Sequence, residues 1–223
     1  MVIENNLNGY MIKVFGWMFL GLLLTGLTAG VVANNESLWG VFSGGAFFIL
    51  ILLQLGLVVT ISAFLRKLPP IVAKVLFILY SIVSGVTFST IFLVYEIGSI
   101  FQIFCLTSAL FGGLAFLGYQ MKIDLTKIGT LLTVGLVVGF ILMLLNIFVF
   151  GSDMMSVVLT WLMLAIFLGL TVYDMQKIKA WYMANEHDEK MLEKIAIFGA
   201  LDLYLDFINI MIKLLALFGR RRD

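Results

Sequence analysis

Seven long apolar stretches, separated by short polar segments, dominate the chain. Each is close to or above the roughly 20 residues that a helix needs to cross a hydrocarbon core about 30 Å thick. Such stretches must be helical in lipid, because lipid offers no partner for an unpaired backbone group, and they are far longer than barrel strands. We predict one transmembrane domain over residues 1–223, with spans near residues 14–33, 38–65, 72–95, 98–121, 128–151, 154–182 and 192–218.

Lysine and arginine are distributed unequally between the two sets of loops. The N-terminal segment, the connections after the second, fourth and sixth spans and the adjoining ends of those spans contain ten basic residues. These are Lys13, Arg66, Lys67, Lys74, Lys122, Lys127, Lys177, Lys179, Lys190 and Lys194. The other three connections contain no basic residue, and their charged residues are Glu36, Glu96 and Asp153. Positively charged loops stay in the cytoplasm, so we predict a cytoplasmic N-terminus.

The C-terminal arginines Arg220–Arg222 do not follow this pattern. A seventh full span would place them outside, against the same charge rule. Either the last segment is re-entrant, or it spans the membrane and the arginines are tolerated because earlier helices fix the topology. Both alternatives stay open at this point.

Composition supports a membrane protein. Apolar residues make up 62% of the chain and charged residues 12%, with a mean hydropathy of +1.13. A soluble domain has about 25% charged residues, so both a soluble globular protein and a disordered chain are excluded. The net charge of +1 gives no basic patch for nucleic acid. The one cysteine, Cys105, excludes a disulfide framework and a cysteine-based metal site, and we expect no cofactor.

Enzymatic motifs are missing from the sequence. The chain has one histidine, so it lacks the HExxH pair of a metalloprotease, and it has no GxSxG nucleophile elbow. A membrane aspartyl protease needs only two carboxylates that share a proton, but the glycine-flanked aspartate motif of such enzymes is absent. We predict that the protein is not an enzyme.

Glycines recur at spacings that allow helices to approach closely. In a multi-span protein such pairs usually mark contacts within one chain, and a dimer face is the alternative. We therefore expect a monomer rather than an oligomer. The pairs are Gly26/Gly30, Gly40/Gly44 and Gly135/Gly139.

Three aspartates interrupt the last two apolar segments. Asp202 and Asp206 lie four residues apart on one face of the seventh segment, and Asp174 lies near the cytoplasmic end of the sixth. An ionised aspartate near the middle of a bilayer costs on the order of 2.5–3.5 kcal/mol on insertion scales. Such a residue is therefore expected to have a partner, a bound proton or access to water.

Hairpin geometry brings these carboxylates to comparable depths. Measured from His187, Asp174 lies 13 residues before, while Asp202 and Asp206 lie 15 and 19 residues after. Depth alone favours Asp202 as the partner of Asp174, but it does not exclude Asp206. Two carboxylates in a low-dielectric site cannot both ionise cheaply, so the pair should share a proton. Such a pair is a proton-sensitive cation site.

Each residue also has a purely structural explanation. Asp174 could be an interfacial residue capped by Lys177 or water, and Asp202 could be interfacial as well. Asn209 lies one turn beyond Asp206. An asparagine in such a position more often forms a hydrogen bond between helices than binds an ion. Arg66 could be a cytoplasmic anchor or the partner of the aspartate pair.

Several segments resemble the transmembrane Bax-inhibitor-motif family in its bacterial branch. The seventh segment, ALDLYLDFINIMIKLLALFG, is similar to the C-terminal signature of that family. YQMKIDLTKIGTLL resembles its Lys-x-Asp-Leu turn, LTVYDMQKI its Tyr-Asp segment, and LLNIFVF the asparagine-bearing end of span five. The resemblance covers most of the chain, and the seventh segment is the most specific part.

The resemblance implies an all-α membrane protein, a seven-helix bundle with the C-terminal helix in its centre. It implies a pH-sensitive calcium leak gated by an aspartate pair, which motif matching assigns to Asp174 and Asp206, with calcium bound transiently between them. Asp202, Arg66 and Asn209 are then auxiliary, and Arg66 is the candidate latch for the pair. The Pro69-Pro70 that follows Arg66 departs from the more basic run of the family.

The sequence thus predicts a passive, pH-sensitive calcium leak in the plasma membrane of a prokaryote, with the lipid bilayer, calcium and protons as partners. Carboxylate oxygens suit a hard divalent cation. One alternative is a non-conducting protein that modulates other membrane proteins, such as proteases, or stress responses. A proton-coupled cation antiporter is a further alternative, although no internal repeat is visible.

Overall fold

The computed structural model describes residues 2–35, 37–38, 45–64 and 67–222. Within these residues the fold is all helical, and the only β-type pairing is an isolated antiparallel bridge between Tyr95 and Arg221. This confirms the predicted all-α class. The helices are α1 (Val2–Ala33), α2 (Gly45–Phe64), α3 (Pro70–Val94), α4 (Ile97–Gln120), α5 (Thr126–Leu145), α6 (Asp153–Ala184) and α7 (Glu189–Phe218), with a π-helical turn at Asn146–Phe150.

Six of these helices, α1 and α3 to α7, are long and apolar enough to cross a membrane. Helix α2 is also apolar and comprises 20 residues, Gly45–Phe64. The predicted second span begins at residue 38, but residues 39–44 lie outside the described part of the chain. Each predicted span overlaps one observed helix. The description of residues 1–223 as one domain stays a prediction.

Local chemistry explains where several helices begin and end. Pro69 is extended, with φ −63° and ψ 148°, and α3 starts at Pro70, where a missing backbone N–H costs no helical hydrogen bond. After the C-terminal end of α5 and its π-helical turn, Gly151 adopts φ +59°, a conformation that glycine reaches without strain. Its N–H donates to the Asn146 carbonyl at 2.7 Å and closes the π-helical turn.

The chain forms two compact units. The first consists of Met1–Glu96, Ala180–Tyr204 and Arg221–Asp223, and the second of Ile97–Lys179 and Leu205–Arg220. The long helices α6 and α7 therefore contribute residues to both units.

In the first unit, α3 packs closely on α1. Gly85 leaves room for the Thr28 side chain and the Thr25 carbonyl, which a methyl group at this position would meet. The Thr25 hydroxyl donates to the Ser81 carbonyl at 2.9 Å and lies 2.7 Å from the Tyr204 hydroxyl. These bonds tie the first half of α7 to both α1 and α3.

In the second unit, glycines bring α5 against α6. Gly139 faces the Met163 sulfur, and Gly135 faces the Ile166 side chain. The Gly135/Gly139 spacing therefore marks a helix contact within the chain. Gly26 and Gly30 have open space around them, and Gly40/Gly44 lies outside the described residues.

The last helix is continuous over 30 residues and is long and apolar enough to cross a membrane. Near its start, Glu193 lies 3.6 Å from the Lys74 amino group in the first turns of α3. Beyond its end, the Arg222 N–H donates to the carbonyl of Val94, the last residue of α3, at 2.8 Å. The length of α7 favours a full span over a re-entrant segment, and the full span stays a prediction.

α7 is also the most enclosed helix. In its most apolar window 72% of the residues are buried, against 11–39% in the other five long helices. This is the burial that a helix in the centre of a bundle requires, because such a helix contacts neighbours instead of lipid on most sides.

We predict that Gly118→Ala destabilises the protein. A methyl group at Gly118 of α4 would meet the backbone carbonyl of Val172, which cannot rotate away, so α4 and α6 would have to separate. Overpacking of this kind costs about 1–3 kcal/mol. Denaturant unfolding of the purified protein in detergent measures the change.

Gly113→Ala on the same helix is the matched control, because nothing lies within 4 Å of the added methyl group. Alanine is up to about 1 kcal/mol better than glycine in a helix, so this variant should be unchanged or more stable. Equal effects of the two substitutions would contradict the close approach at Gly118.

Candidate functional site

The candidate site begins with a polar stripe on α7. Asp202, Asp206, Asn209 and Lys213 are spaced by four, three and four residues, which places them on one face of the helix. Asp206 is 3% exposed, while Asp202, Asn209 and Lys213 are half-buried. A helix of this apolar character therefore carries one line of polar groups within the membrane.

Aromatic rings enclose the α7 backbone next to Asp206. The ring of Phe207 contacts those of Phe104 and Phe111, both on α4, with centroids 5.6 Å apart in each pair. These edge-on contacts pack α7 against α4 one residue away from Asp206. Because Asp206 is itself buried, its charge state has a large energetic effect.

Asp174 lies on α6 in the same compact unit and is 7% exposed. The Lys177 amino group donates to its Oδ1 atom at 2.5 Å, an ion pair across one turn of the helix. Lys177 also lies over the ring of Tyr173, 5.4 Å from its centroid. The capping by Lys177 considered from the sequence is therefore present, but Asp174 is buried and not an exposed interfacial residue.

Close packing positions the α6 segment around Asp174. The preceding Tyr173 lies against Gly129 of α5, and the following Met175 lies against Gly118 of α4. A side chain at either glycine would collide with α6. The backbone on both sides of Asp174 is thus fixed by two neighbouring helices.

Gln176 attaches the same segment to the connection between α4 and α5. Its side-chain amide donates to the Ile123 carbonyl at 2.6 Å and accepts from the Leu125 N–H at 2.9 Å. Lys179 adds a hydrogen bond to the Tyr119 carbonyl at 3.3 Å. Gln176 was not singled out from the sequence, because its hydrogen-bond partners lie about 50 residues earlier in the chain.

Asp124 in that connection caps the start of α5. Its Oδ1 atom accepts from the Thr126 hydroxyl at 2.6 Å and from the Thr126 N–H at 2.9 Å. Both hydrogen bonds lower the pKa of Asp124 below its ordinary value, and the bond from the Thr126 hydroxyl has the larger effect. The aspartate of the Lys-x-Asp-Leu turn therefore stabilises a helix start and stays ionised.

The observed helix bounds refine the depths of the two buried carboxylates. Asp174 lies ten residues before the end of α6 at Ala184, and Asp206 lies 17 residues after the start of α7 at Glu189. At about 1.5 Å per residue, Asp206 is about 10 Å further along its helix from the α6–α7 turn. The two carboxylates share one unit but lie at different distances from this turn.

Lys213 is a cation inside the span that the sequence analysis did not assign. It is half-buried, its amino group lies 3.9 Å from the Met143 sulfur, and it forms no ion pair within the described parts of the chain. It follows Asp206 by seven residues, so it lies about two turns further along the same face. α7 thus carries an acidic residue, Asp206, and a basic residue, Lys213, about two turns apart on one face.

The auxiliary residues have different outcomes. Arg66 lies outside the described residues, so its role as a latch stays a prediction. The Asn209 amide donates to the Leu205 carbonyl of its own helix at 2.8 Å. Asn146, 4% exposed, bonds Ser152 and Ser156 and joins α5 to α6.

Metal ligands are sparse in the described residues, which contain no group of three or more histidine, cysteine, aspartate or glutamate side chains able to hold an ion. Calcium usually takes six to eight oxygen ligands.

The sequence of this chain is similar to those of known membrane proteins. Residues 7–223 match the family model described as Inhibitor of apoptosis-promoting Bax1. The chain belongs to this Bax1-I family. The match includes α7 with its polar stripe and the YDMQKI and KIDL segments, so it confirms the resemblance inferred from those motifs.

Relatives within the Bax1-I family align over almost the whole chain. The inner membrane protein YbhL of Escherichia coli is 41% identical over 219 residues, 97% of this chain and 93% of YbhL. An uncharacterized protein of Borreliella burgdorferi is 39% identical over 97% of this chain and 94% of its own length. The name of YbhL and the six long apolar helices together support a multi-pass membrane protein.

We predict that Lys177→Met destabilises the protein more than Lys177→Met combined with Asp174→Asn. Removing the lysine alone leaves a buried carboxylate without its ion-pair partner, at a cost on the order of 3 kcal/mol, reduced because the Lys177 side chain is 23% exposed. Neutralising both residues removes that penalty. A double-mutant cycle of unfolding free energies measures the coupling, and additive effects would contradict the pairing.

Proposed function

We propose that this protein is a passive, pH-sensitive cation leak with calcium as the physiological ion, and that it catalyses no chemical reaction. The observation that carries the proposal is the burial of Asp174 and Asp206, 7% and 3% exposed, within apolar helices of one compact unit. Intramembrane carboxylates are costly and therefore mark ion or proton pathways more often than structural contacts.

The chemistry of the two carboxylates suits such a leak. An ionised carboxylate in a low-dielectric region attracts a cation strongly, and oxygen is the ligand that calcium prefers. With only two carboxylates in the pair, binding stays weak enough for release. An ion can then move down its gradient without a bound intermediate that traps it.

Protons act on the same groups. A bound proton occupies a carboxylate oxygen that could otherwise contact the ion. Protonation removes the charge that attracts the ion and weakens the ion pair between Asp174 and Lys177. We expect the response between about pH 5 and 8, because the proposed pair shares one proton.

The proposed orientation places the N-terminus in the cytoplasm. The basic loops 66–74, 122–127 and 177–194 lie on the N-terminal side by the parity of the helices. If α7 crosses the membrane completely, Arg220–Arg222 emerge on the outer side with the end of α3, to which the Arg222 N–H is hydrogen-bonded.

A non-conducting interaction protein is the second candidate, and the ion pair between Lys177 and Asp174 favours it. In that case the ion pair would stabilise α6 itself, and the buried carboxylates would have a structural role in the bundle. Purified protein that passes no cation at any pH between about 5 and 8 would support this candidate.

We predict that Asp174→Asn and Asp206→Asn each change calcium flux into liposomes and flatten its dependence on pH. Asparagine keeps the size of the side chain but does not titrate, so it imitates the protonated state at every pH. The measurement is the initial flux into proteoliposomes with a trapped calcium dye, at several values between about pH 5 and 8.

Asp153→Asn is the matched control, because Asp153 is an exposed aspartate at the other end of α6. It should leave flux and pH response unchanged. If both buried variants conduct like the unmodified protein with the same pH response, the aspartate pair is not the gate. A dependence of calcium movement on a proton gradient would indicate antiport instead of a leak.

We further predict that Lys213→Met increases the initial flux by up to about tenfold. A unit charge about 10 Å from the site acts with more than 1 kcal/mol at an effective dielectric constant near 20, and the positive charge of Lys213 opposes a passing cation. Lys213→Arg keeps the charge and should conduct like the unmodified protein. An unchanged flux in the methionine variant would place Lys213 outside the pathway.

A further inference from the structure

The first unit contains a cavity that the proposed leak does not use. It has a volume of about 630 Å³ and opens between the start of α1 and the α6–α7 turn. This volume lies in the range of small-molecule sites. The charged residues that line it are Lys13, Glu186, Glu189, Lys190 and Glu193.

The charges in this lining are only partly compensated within the protein. Glu193 lies 3.6 Å from the Lys74 amino group, and Glu186 lies 3.3 Å from the imidazole of His187. Lys13, Lys190 and Glu189 form no ion pair within the described ranges of the chain. His187 compensates Glu186 only when its imidazole is protonated. Two amino groups, the Glu189 carboxylate and, beside a neutral imidazole, the Glu186 carboxylate thus remain for a ligand that carries charges of both signs.

An enclosed hydroxyl provides a second, independent observation. Tyr10 lines the cavity, is 5% exposed and packs on the ring of Tyr182 with centroids 5.0 Å apart. Its hydroxyl is buried and has no hydrogen-bond partner among the described residues. A buried donor without a partner is unfavourable, so a ligand whose binding turns the Tyr10 hydroxyl toward the cavity and accepts from it would relieve this cost.

The position of the cavity restricts the ligand further. Lys13 immediately precedes the first predicted span, so the cavity lies at the depth of lipid head groups. Tyr182 and Leu192 add apolar surface to the lining. A ligand with a charged head and an apolar continuation matches both features.

We propose that this cavity binds a phosphoethanolamine group. Lys13 and Lys190 contact the phosphate, Tyr10 donates to one of its oxygens, and Glu189 accepts from the primary ammonium. The same chemistry occurs in the head group of phosphatidylethanolamine and in soluble phosphoethanolamine. This proposal does not depend on ion conduction.

Native mass spectrometry of the full chain in detergent tests it. With equal amounts of phosphatidylethanolamine, phosphatidylcholine and phosphatidylglycerol, we expect phosphatidylethanolamine to be retained about tenfold better than the other two. Phosphatidylcholine has no N–H to donate to Glu189, and phosphatidylglycerol has no ammonium. Equal retention of the three lipids would overturn the proposal.

Variants assign the binding to the cavity. Lys13→Gln with Lys190→Gln, and separately Glu189→Gln, should each lower retention about tenfold. Lys122→Gln with Lys127→Gln removes two lysines from another basic loop and is the matched control. An equal loss in the control would show nonspecific charge attraction and overturn the site. Thermal unfolding of each variant confirms that it is folded.

Soluble phosphoethanolamine separates the two sources of the ligand. Displacement of the lipid by soluble phosphoethanolamine at millimolar concentration would assign the binding energy to the head group alone. Retention of the lipid in its presence, with loss in the Glu189→Gln variant, would assign the site to the membrane lipid. Both results support the proposed chemistry, whereas insensitivity to both the competitor and the Glu189→Gln variant contradicts it.

Discussion

A charge inside lipid must find its compensation within the protein, and this constraint governs the arrangement of α6 and α7. The ion pair between Asp174 and Lys177 is one such compensation, made within a single helix. The charges in the polar stripe on α7 are compensated in a second way, because this helix is shielded from lipid over most of its surface. An exposed helix with the same stripe would not be stable in a bilayer, so the burial of α7 and its polar residues depend on each other.

Close helix packing gives these charges defined positions. Glycines 118 and 129 let α4 and α5 approach α6 on both sides of Asp174, and Gln176 holds the connection between those two helices. The motifs KIDL and YDMQKI are distant in sequence but form one hydrogen-bonded assembly. A leak pathway with this construction would have a rigid wall on the α6 side, so gating is expected to depend on charge more than on loop movement.

The sequence was sufficient for the helices but not for their partners. Apolar length predicted the spans because the bilayer fixes the length of a helix, and the spacing Gly135/Gly139 predicted a real contact. Gly26/Gly30 has the same spacing but open surroundings, since spacing does not specify which neighbour is present. The role of Gln176 depends on a contact between residues about 50 positions apart, which no periodicity encodes.

The length of α7 bears on the C-terminal arginines. The charge rule alone left two alternatives open, because three arginines opposed a pattern set by ten earlier basic residues. A continuous helix of 30 residues that is apolar enough to cross a membrane favours a full span over a re-entrant segment.

The enclosure of α7 has a consequence for assembly. The hydroxyl of Tyr204 on α7 lies 2.7 Å from that of Thr25 on α1, 179 residues earlier in the chain. Because α7 follows the other described helices in the sequence, those helices must enter the bilayer as a loosely assembled set that keeps a place for it. A cut between α6 and α7 would leave that set without a helix on which its packing depends.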